Sequence, residues 1–557
     1  MRSCALATDA RFSRHAPRAS LDFSDLREPP KLKKEMQMIK TPGLHIGSYP
    51  WYHGQARPRK TAFVYGDRKI SWADFDARAS KVHDTLLKAG MKKGDKIGLL
   101  ALNSIVALEI MYGVIRAGGV LVPLSAMQTP NLIASLLKDA GATFFFVGSP
   151  LEGLILPLAA KLDGVPAGNR IGVGFQADGW QEYEAFIADG RQDLIPADVD
   201  DEDECVIIYS SGTTGVPKGI VHSHQARTLT GLASALEFRV TDASTMLIAT
   251  PLFTNATWLM LLGAVSAGAK VVLSALFSPE GFLAEVEKFA ITHTFLVPTM
   301  YHAVLESPKF NRNGLKSLKV MVSMGSALPL PWKKAILEKM GPGLFELYGL
   351  TEGIGTTLKP EEVMEKTGSV GRAITGSNLK IIDDMGNELP WGQTGEIVGY
   401  GGALMKHYHN RPDATEEIIW HDKLGRTYIR TGDIGRFDED GFLFIMDRKK
   451  DMIVTGGVNV FASDIEEVAI RHPGVAEVGV IAVPHPKWVE TPLALVVLRQ
   501  GATATEEEIK AWINERVSAK HQRVSAVEFR HQPLPRNALG KLLKKNMREP
   551  YWQNAAK

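Results

Sequence analysis

A run of hydroxyl side chains and glycines follows an apolar stretch that ends at residue 209. Val206–Tyr209 leads into Ser210-Ser211-Gly212-Thr213-Thr214-Gly215-Val216-Pro217-Lys218. Glycines allow backbone N–H groups to approach phosphate oxygens, hydroxyls add further donors, and Lys218 adds positive charge. The loop therefore predicts a triphosphate-binding site, with a plain Ser/Thr/Gly surface turn as the alternative. It is not a Walker A loop, because Lys218 precedes Gly219 instead of a serine or threonine.

Three later clusters offer further groups for a nucleotide. Tyr348-Gly349-Leu350-Thr351-Glu352-Gly353 supplies a ring for a base, a hydroxyl for a phosphate and a carboxylate for Mg²⁺. Asp433, which ends Tyr428-Ile429-Arg430-Thr431-Gly432-Asp433, could accept hydrogen bonds from ribose hydroxyls. Pro535-Arg536-Asn537-Ala538-Leu539-Gly540-Lys541 brings a lysine close to the C-terminal end. Taken singly, the clusters also fit a loop tyrosine, an Asx-type turn and a basic tail.

The bulk composition is that of a soluble globular protein with several domains. Lys and Arg total 64 against 62 Asp and Glu, and this near-balance argues against a dedicated nucleic-acid binder. Only Cys4 and Cys205 are present, without CxxC spacing, which fits a reducing compartment. Charged residues interrupt the longest apolar region, 97–124, so no transmembrane helix is expected. We therefore predict a cytoplasmic protein, and the sequence leaves a homodimer open.

Helices, glycines and strands alternate in the first part of the chain. Ser71–Gly90 predicts an amphipathic helix, and Lys96–Ala101 predicts a buried strand after it. A second helix over Ser104–Ala117 leads to another strand, Val120–Leu124. This alternation predicts a layered α/β protein with largely parallel sheets.

A charged segment, Asp447-Arg448-Lys449-Lys450-Asp451, predicts a surface linker before a compact α+β unit. Helices near Ser463–Ile470 and Glu506–Val517 are expected in that unit. The predicted domains are thus 36–448 and 449–557. Residues 1–35 are expected to form an unstructured leader, because their acidic residues disfavour a transit peptide.

In this order, the four clusters resemble those of the adenylate-forming superfamily, which includes acyl- and aryl-CoA synthetases, luciferases and peptide-synthetase adenylation domains. The resemblance spans Trp51 to Lys545. It implies that Tyr348 stacks on adenine, Thr351 contacts the α-phosphate and Glu352 binds Mg²⁺. The ATP- and AMP-binding residues implied in full are Ser210, Ser211, Gly212, Thr213, Thr214, Gly215, Lys218, Gly325, Ser326, Ala327, Tyr348, Gly349, Thr351, Asp433 and Arg448.

The resemblance also implies a division of labour between two steps. Lys541, with Thr351 and Glu352, is the implied catalytic group for adenylation, because a cation would stabilise the charge that builds on phosphorus oxygens. The small C-terminal domain is expected to rotate at Lys450 before the second step. Gly456 and Gly457 are then implied to line the pantetheine tunnel of coenzyme A, and Arg523 to meet its phosphates.

Three departures from the family pattern concern the hinge, the acid site and the residues before Gly540-Lys541. Asp447 stands where the family usually has glycine, which puts the flexibility of the hinge in question. Thr254 stands where many relatives have histidine, so a gating role for that histidine cannot be carried over. Ala538 and Leu539 replace hydroxyl residues before Gly540-Lys541, with little expected effect.

By resemblance, the acyl pocket draws on residues 253–258, 299–301, 325–327 and 349–355. These segments contain no arginine or lysine that could meet a second carboxylate, which favours a hydrophobic monocarboxylic acid. Fatty, alicyclic and aromatic acids all stay open. The implied pocket residues are Phe253, Thr254, Trp258 and Tyr301; Trp258 resembles the tryptophan gate of long-chain relatives and equally fits a core tryptophan.

The resulting prediction is an ATP-dependent acid–CoA ligase that uses ATP, Mg²⁺ and coenzyme A. It would convert a carboxylate and ATP to acyl-AMP and pyrophosphate, then transfer the acyl group to coenzyme A. One alternative is an adenylation enzyme that loads a separate carrier protein, because residues 542–557 are too few for a fused carrier. A luciferase-like oxygenase and a non-catalytic nucleotide-binding protein are the others.

Overall fold

The computed structural model describes residues 44–162, 164–210, 217–536 and 540–555. The predicted leader, 1–35, lies outside these ranges. So do Ser211, Gly212, Thr213, Thr214 and Gly215 of the predicted phosphate loop, and Ala538 and Leu539 before the predicted catalytic lysine. Ser210, Lys218, Gly540 and Lys541, which flank the two gaps, are described.

The described chain alternates helices and strands. The helices are α1 (Tyr49–Ala56), α2 (Trp72–Lys88), α3 (Ile105–Arg116), α4 (Pro130–Ala140), α5 (Glu152–Ile155), α6 (Tyr183–Phe186), α7 (His224–Glu237), α8 (Asn255–Ser266), α9 (Pro279–Phe289), α10 (Pro298–Leu305), α11 (Leu330–Lys339), α12 (Pro412–Glu417), α13 (Ala462–Ala469), α14 (Glu506–Arg516) and α15 (Lys544–Ala555). Short 3₁₀ helices lie at Ile46–Ser48, Leu156–Lys161, Ala167–Asn169, Arg312–Leu315 and Lys520–Gln522.

The strands are β1 (Thr61–Tyr65), β2 (Arg68–Ser71), β3 (Lys96–Leu100), β4 (Val120–Pro123), β5 (Ala142–Gly148), β6 (Arg170–Val173), β7 (Gln181–Glu182), β8 (Glu204–Ser210), β9 (Lys218–Ser223), β10 (Thr245–Ile248), β11 (Lys270–Leu273), β12 (His293–Leu296), β13 (Val320–Met324), β14 (Leu344–Gly349), β15 (Gly355–Leu358), β16 (Arg372–Ala373), β17 (Ser377–Ile382), β18 (Glu388–Leu389), β19 (Gly395–Gly401), β20 (His407–Tyr408), β21 (Ile419–His421), β22 (Thr427–Phe437), β23 (Leu443–Arg448), β24 (Ile453–Thr455), β25 (Val458–Val460), β26 (Val475–His485), β27 (Val489–Leu498) and β28 (Ala526–Phe529).

Two large sheets dominate the N-terminal part. One runs β16-β15-β14-β13-β12-β10-β11-β1-β2, with parallel pairing from β14 to β1 and antiparallel strands at both edges. The other runs β20-β9-β8-β4-β3-β5-β6-β7 and is parallel, except that β9 pairs antiparallel with both β8 and β20. Parallel strands need helical crossovers and covered faces, which explains the alternation in the sequence. The predicted layered α/β class is confirmed.

Local sequence signals fix the element boundaries. Helix α2 begins after Ser71, whose hydroxyl accepts a hydrogen bond from the Asp74 backbone N–H at 3.1 Å. Its buried face carries Phe75, which packs on Phe63 with ring centroids 4.4 Å apart. Burial of each such side chain contributes roughly 1.5–3 kcal/mol. Cys205 is buried in β8 as a small core residue.

A third sheet, β18-β17-β19-β22-β21 with β23 beside β22, follows the two large ones. The fourth, β25-β24-β27-β26 with β28 beside β27, carries α13 and α14 over its own apolar core. This core contains Ile465, Val480 and Ile509. The predicted compact C-terminal α+β unit is therefore present. Among the helices of the described ranges, none combines the length and apolar character that a membrane crossing requires.

The charged segment predicted as a surface linker starts inside the fold. Asp447 and Arg448 end strand β23, and Asp447 is only 8% exposed. The Ser463 backbone N–H donates to Asp447 Oδ2 at 3.3 Å, which ties β23 to the start of α13. The linker prediction is therefore wrong for Asp447 and Arg448: charge pattern alone does not show that a carboxylate will find buried donors.

Candidate active site

Ser210 at the end of β8 pairs with Lys218 at the start of β9, so the loop between the two strands begins and ends at paired residues. Strand β20 extends the sheet beside β9, with Tyr408 opposite Ile220. The Lys218 ammonium lies 4.6 Å from the centroid of the Tyr408 ring. The same tyrosine donates from its hydroxyl to Glu352 Oε1 at 2.7 Å. Lys218 and Glu352, which were predicted from separate motifs, therefore both contact the side chain of Tyr408.

Tyr348, Asp433 and Arg448 form a second group. The Tyr348 hydroxyl donates to Asp433 Oδ2 at 2.7 Å, and Arg448 Nε lies 3.3 Å from Asp433 Oδ1. Asp433 and Arg448 face each other in the β22–β23 ladder, so the sheet register sets this ion pair. The Thr431 hydroxyl accepts from the Asp433 backbone N–H at 3.0 Å. Burial, reinforced by Asp433, raises the pKa of Tyr348.

Further predicted ATP-binding residues lie near Tyr348, at the carboxyl ends of strands β13 and β14. Gly325, Ser326 and Ala327 follow β13 and are exposed, while Gly349 ends the neighbouring parallel strand β14. Ligands of open α/β sheets bind outside the carboxyl ends of parallel strands. Gly325 has φ 99°, a left-handed conformation that favours glycine. Described residues of three of the four predicted clusters are thus linked by contacts through Tyr408 and between Tyr348 and Asp433, and the region around them is the candidate cleft.

The C-terminal cluster reaches this cleft as well. A Cβ atom placed on Gly540 would lie 3.4 Å from Thr299 Oγ1 in α10, so the C-terminal unit touches the N-terminal part there. Burial lowers the pKa of Lys541 to about 8; Arg448 and Lys450 also lower it, while Asp433 raises it. Charges act strongly only over short distances in a partly buried site. Lys541 therefore lies within the electrostatic field of the Asp433–Arg448 pair.

The predicted acyl-pocket residues are tied to the surrounding core. Trp258 is buried and donates from Nε1 to the Leu252 carbonyl at 2.8 Å. Tyr301 is buried too, and its hydroxyl donates to the Val322 carbonyl at 3.0 Å. Thr254 caps α8, accepting from the Thr257 backbone N–H at 3.3 Å. Phe253, just before this cap, is half-buried, so all four side chains are held in defined positions.

The predicted coenzyme A residues lie in the C-terminal unit. Gly456 and Gly457 form the turn between β24 and β25, with φ values of 57° and 82°. A Cβ atom on Gly456 would come within 2.8 Å of the Trp488 ring, so position 456 has no room for a side chain. Arg523 is exposed after the 3₁₀ helix Lys520–Gln522. The assignment of these residues to coenzyme A stays a prediction.

Tyr408 is the residue of this site that sequence reasoning missed. It follows Glu352 at a large separation and belongs to none of the four clusters. Its place is set by the pairing of β20 with β9, and this antiparallel contact joins distant parts of the chain. No short-range pattern marks such a residue.

Known protein families match both parts of the chain. The model of the AMP-binding enzyme family matches residues 51–409, and the model of the AMP-binding enzyme C-terminal domain matches residues 464–541. A feruloyl-CoA synthase of Amycolatopsis sp is 30% identical over 510 residues, which cover 91% of this chain and 99% of that protein. The long-chain-fatty-acid–CoA ligase FadD13 of Mycobacterium tuberculosis is 31% identical over 500 residues, covering 89% and 96%.

Solved structures show the same fold. The crystal structure of ATP-bound MatB from Rhodopseudomonas palustris has a TM-score of 0.82 at 27% identity, with coverage of 91% of this chain and 99% of MatB. Sequence and fold thus agree over both the N-terminal part and the C-terminal unit. The chain therefore belongs to the AMP-binding enzyme family, within the adenylate-forming superfamily.

Proposed function

We propose that the protein is an ATP-dependent acid–CoA ligase that forms an acyl-adenylate and transfers its acyl group to coenzyme A. The observation that carries the proposal is that Lys541 lies within the electrostatic influence of Asp433 and Arg448, the pair that Tyr348 contacts. A lysine in that place can serve the phosphorus chemistry of a nucleotide held by those groups. Relatives named as a feruloyl-CoA synthase and a fatty-acid–CoA ligase support the same reaction class.

In the first half-reaction, a carboxylate oxygen of the acid attacks the α-phosphorus of ATP. The bond from that phosphorus to the oxygen bridging to the β-phosphate breaks, and its electron pair leaves with pyrophosphate. Two anions approach each other, so a cation preorganised between them lowers the barrier. Lys541 supplies this charge, Asp433 and Arg448 hold the ribose, and Thr351 meets the α-phosphate.

In the second half-reaction, the thiol sulfur of coenzyme A attacks the carbonyl carbon of the acyl-adenylate. The bond between the carbonyl carbon and the oxygen that bridges to phosphorus breaks, and AMP leaves with its electron pair. The thiol proton passes to solvent. This step does not need Lys541, since the anhydride is already activated. A rotation of the unit 449–557 about Lys450 would replace Lys541 by the Gly456-Gly457 turn at the cleft.

Glu352 is suited to one role in binding Mg²⁺. Magnesium usually keeps several waters and binds one or two carboxylates together with substrate phosphates. Within the described ranges, no three or more His, Cys, Asp or Glu side chains are grouped so that they could hold a metal ion. The described residues alone therefore do not supply a full set of Mg²⁺ ligands. Glu352, oriented by Tyr408 and close to Lys218, would share the ion with the triphosphate. Bound there, Mg²⁺ would neutralise the charge of the departing pyrophosphate.

The acid is proposed to have a mainly apolar body. The side chains implied to surround it, Phe253, Trp258 and Tyr301, offer apolar surface, and the polar atoms of Trp258 and Tyr301 already bind backbone carbonyls. Fatty, alicyclic and aromatic bodies all fit this description.

A panel of carboxylic acids, scored by AMP release with ATP and coenzyme A, tests the proposal. The expected result is acid-dependent AMP formation together with a coenzyme A thioester. Acid-dependent exchange of pyrophosphate into ATP without thioester would favour an enzyme that loads a carrier protein. Absence of both signals for every acid class would overturn the proposal in favour of a non-catalytic nucleotide-binding protein.

Adenylation is expected to lose activity as the pH rises through about 8. Burial lowers the pKa of Lys541 to about 8, so its ammonium is present below that pH and is lost above it. Rates of pyrophosphate exchange at limiting ATP, measured from neutral to alkaline pH, report this ionisation. A rate that stays level well above pH 9 would contradict a catalytic ammonium with this pKa.

Tyr408→Phe is expected to weaken the apparent Mg²⁺ affinity of adenylation about tenfold, because outer-shell partners orient metal ligands. The substitution removes the 2.7 Å hydrogen bond to Glu352 and keeps the ring beside Lys218. Pyrophosphate exchange measured over a range of Mg²⁺ concentrations gives the shift. Tyr400→Phe, at an exposed tyrosine, is the matched control. An unaltered Mg²⁺ dependence in Tyr408→Phe would remove the tyrosine from this role.

A further inference from the structure

Helix α7 carries an arginine that is buried with most of its charge unmatched. Arg227 is 1% exposed, and its Nη1 donates to Asn255 Oδ1 at 2.7 Å. Across the part of the chain that the structure describes, Nε and Nη2 of Arg227 have no hydrogen-bond partner. Burial lowers the pKa of this guanidinium to about 10, which still leaves it charged at neutral pH.

Other buried cations of the protein differ in this respect. Arg116 lies 2.6 Å from Asp76, and Lys333 forms an ion pair with Glu346. A buried charge is costly unless a counter-charge and hydrogen bonds accompany it. One nitrogen of Arg227 donates to an amide oxygen, and the group that acts most on its charge is the neutral thiol of Cys205. Its missing counter-charge is therefore expected to come from a ligand.

The unmatched edge of Arg227 has the geometry that suits a carboxylate. Nη1 is used by Asn255, so Nε and Nη2 remain. These two nitrogens form one edge of the planar guanidinium, and their N–H groups match the two oxygens of a carboxylate. A hydroxyl or a single carbonyl would satisfy only one of them.

Arg227 borders the segment that is implied to bind the acid. Its guanidinium carbon lies 5.5 Å from the centroid of the Trp258 ring, and its one hydrogen-bonded partner, Asn255, opens the same helix α8. On the other side lies buried His222, which feels the charge of Arg227 and borders the Thr351 backbone. Apart from the Thr351 backbone, neither nitrogen of His222 has a hydrogen-bond partner among the described residues. Two buried polar side chains with unused nitrogens, Arg227 and His222, thus lie near Thr351 and Trp258.

We propose that Arg227 binds a second carboxylate of the acid substrate, so that the substrate is a dicarboxylic acid with an apolar middle. The reacting carboxylate has a different place, because it must meet Lys541, which follows Gly540 beside Thr299 of α10. The proposal rests on the proposed ligase function and narrows its substrate class. The sequence favoured a monocarboxylic acid because α7 lies outside the four segments implied to line the pocket.

Matched pairs of acids test the proposal in the unmodified enzyme. Octanoate is compared with octanedioate, and 3-phenylpropanoate with 3-(4-carboxyphenyl)propanoate, by AMP release with ATP and coenzyme A. In at least one pair, the diacid is expected to have a kcat/KM about tenfold or more above its monoacid. A preference for the monoacid in both pairs would overturn the proposal. Since this comparison needs no variant, a folding defect cannot obscure it.

Two variants then assign the preference to one side chain. Arg227→Met removes the charge at similar length and is expected to lower the diacid-to-monoacid ratio of kcat/KM about 100-fold. Arg227→Lys keeps the charge without the fork, so a smaller fall of about tenfold is expected. Arg239→Met, at an exposed arginine just after α7 that pairs with Glu361, should keep the wild-type ratio.

The outcomes separate this proposal from the proposed function. Efficient thioester formation from monoacids, with a ratio that Arg227→Met leaves unaltered, would overturn the role of Arg227 and keep the ligase function. Failure of every acid to release AMP would overturn both. A ratio that falls in Arg227→Met and only partly in Arg227→Lys supports the second-carboxylate site.

Discussion

Replacing Lys541 with alanine is expected to slow acyl-adenylate formation about 10³-fold, while a supplied acyl-adenylate still reacts with coenzyme A. The lysine lies in the field of Asp433 and Arg448, the pair proposed to hold the ribose. Loss of its charge removes a group that acts on the phosphorus transition state. The thioester step starts from an activated anhydride, so it has no need of that charge.

The two half-reactions are measured separately to test this result. Acid-dependent pyrophosphate exchange reports adenylation, and thioester yield from synthetic acyl-adenylate reports the second step. Lys545→Ala, at an exposed lysine in α15, is the matched control and should behave as wild type in both assays. An equal loss of both half-reactions in Lys541→Ala would contradict the division of labour and point to a general structural effect.

The fold follows from signals that act over short distances. Ser71 caps α2, and the buried face of α2 repeats with helical periodicity, so element types and approximate bounds can be derived from local patterns. A shared nucleotide site could also be predicted, because the four clusters occur in the order that is typical of one superfamily. Tyr348 and Asp433 stand in two such clusters, and the structure joins them by a hydrogen bond.

Features that depend on long-range pairing could not be derived in this way. Tyr408 joins the phosphate side of the cleft only because β20 pairs with β9. Asp447 is buried because the backbone N–H of Ser463 and the charge of Lys544 meet its carboxylate, although the sequence around it reads as a solvated linker. Arg227 is singled out because no carboxylate pairs with it in the described fold. A missing partner of this kind cannot be recognised from a sequence pattern.

Asp433→Ala is expected to raise the apparent KM for ATP about 30- to 100-fold, with a smaller effect on the maximal rate of adenylation. A carboxylate that accepts from both ribose hydroxyls makes charge-assisted hydrogen bonds, each worth roughly 1.5–3 kcal/mol. Asp433 is 3% exposed, and its carboxylate contacts Tyr348 and Arg448. No other acidic side chain can therefore take over its position. Initial rates of pyrophosphate exchange over a range of ATP concentrations give both parameters.

A second effect of the same substitution separates the ribose role from simple loss of structure. Asp433 raises the pKa of Lys541 against the lowering by burial and Arg448, so removing its charge should lower that pKa further. The loss of adenylation with rising pH then begins at lower pH in Asp433→Ala than in wild type. Asp433→Asn keeps one acceptor oxygen but not the charge, and should show the full pH shift with a smaller rise in KM. Asp384→Ala, at an exposed aspartate paired with Lys449, should show neither change. An unaltered KM for ATP in Asp433→Ala would remove this residue from the nucleotide site, and an altered KM without a pH shift would separate it from Lys541.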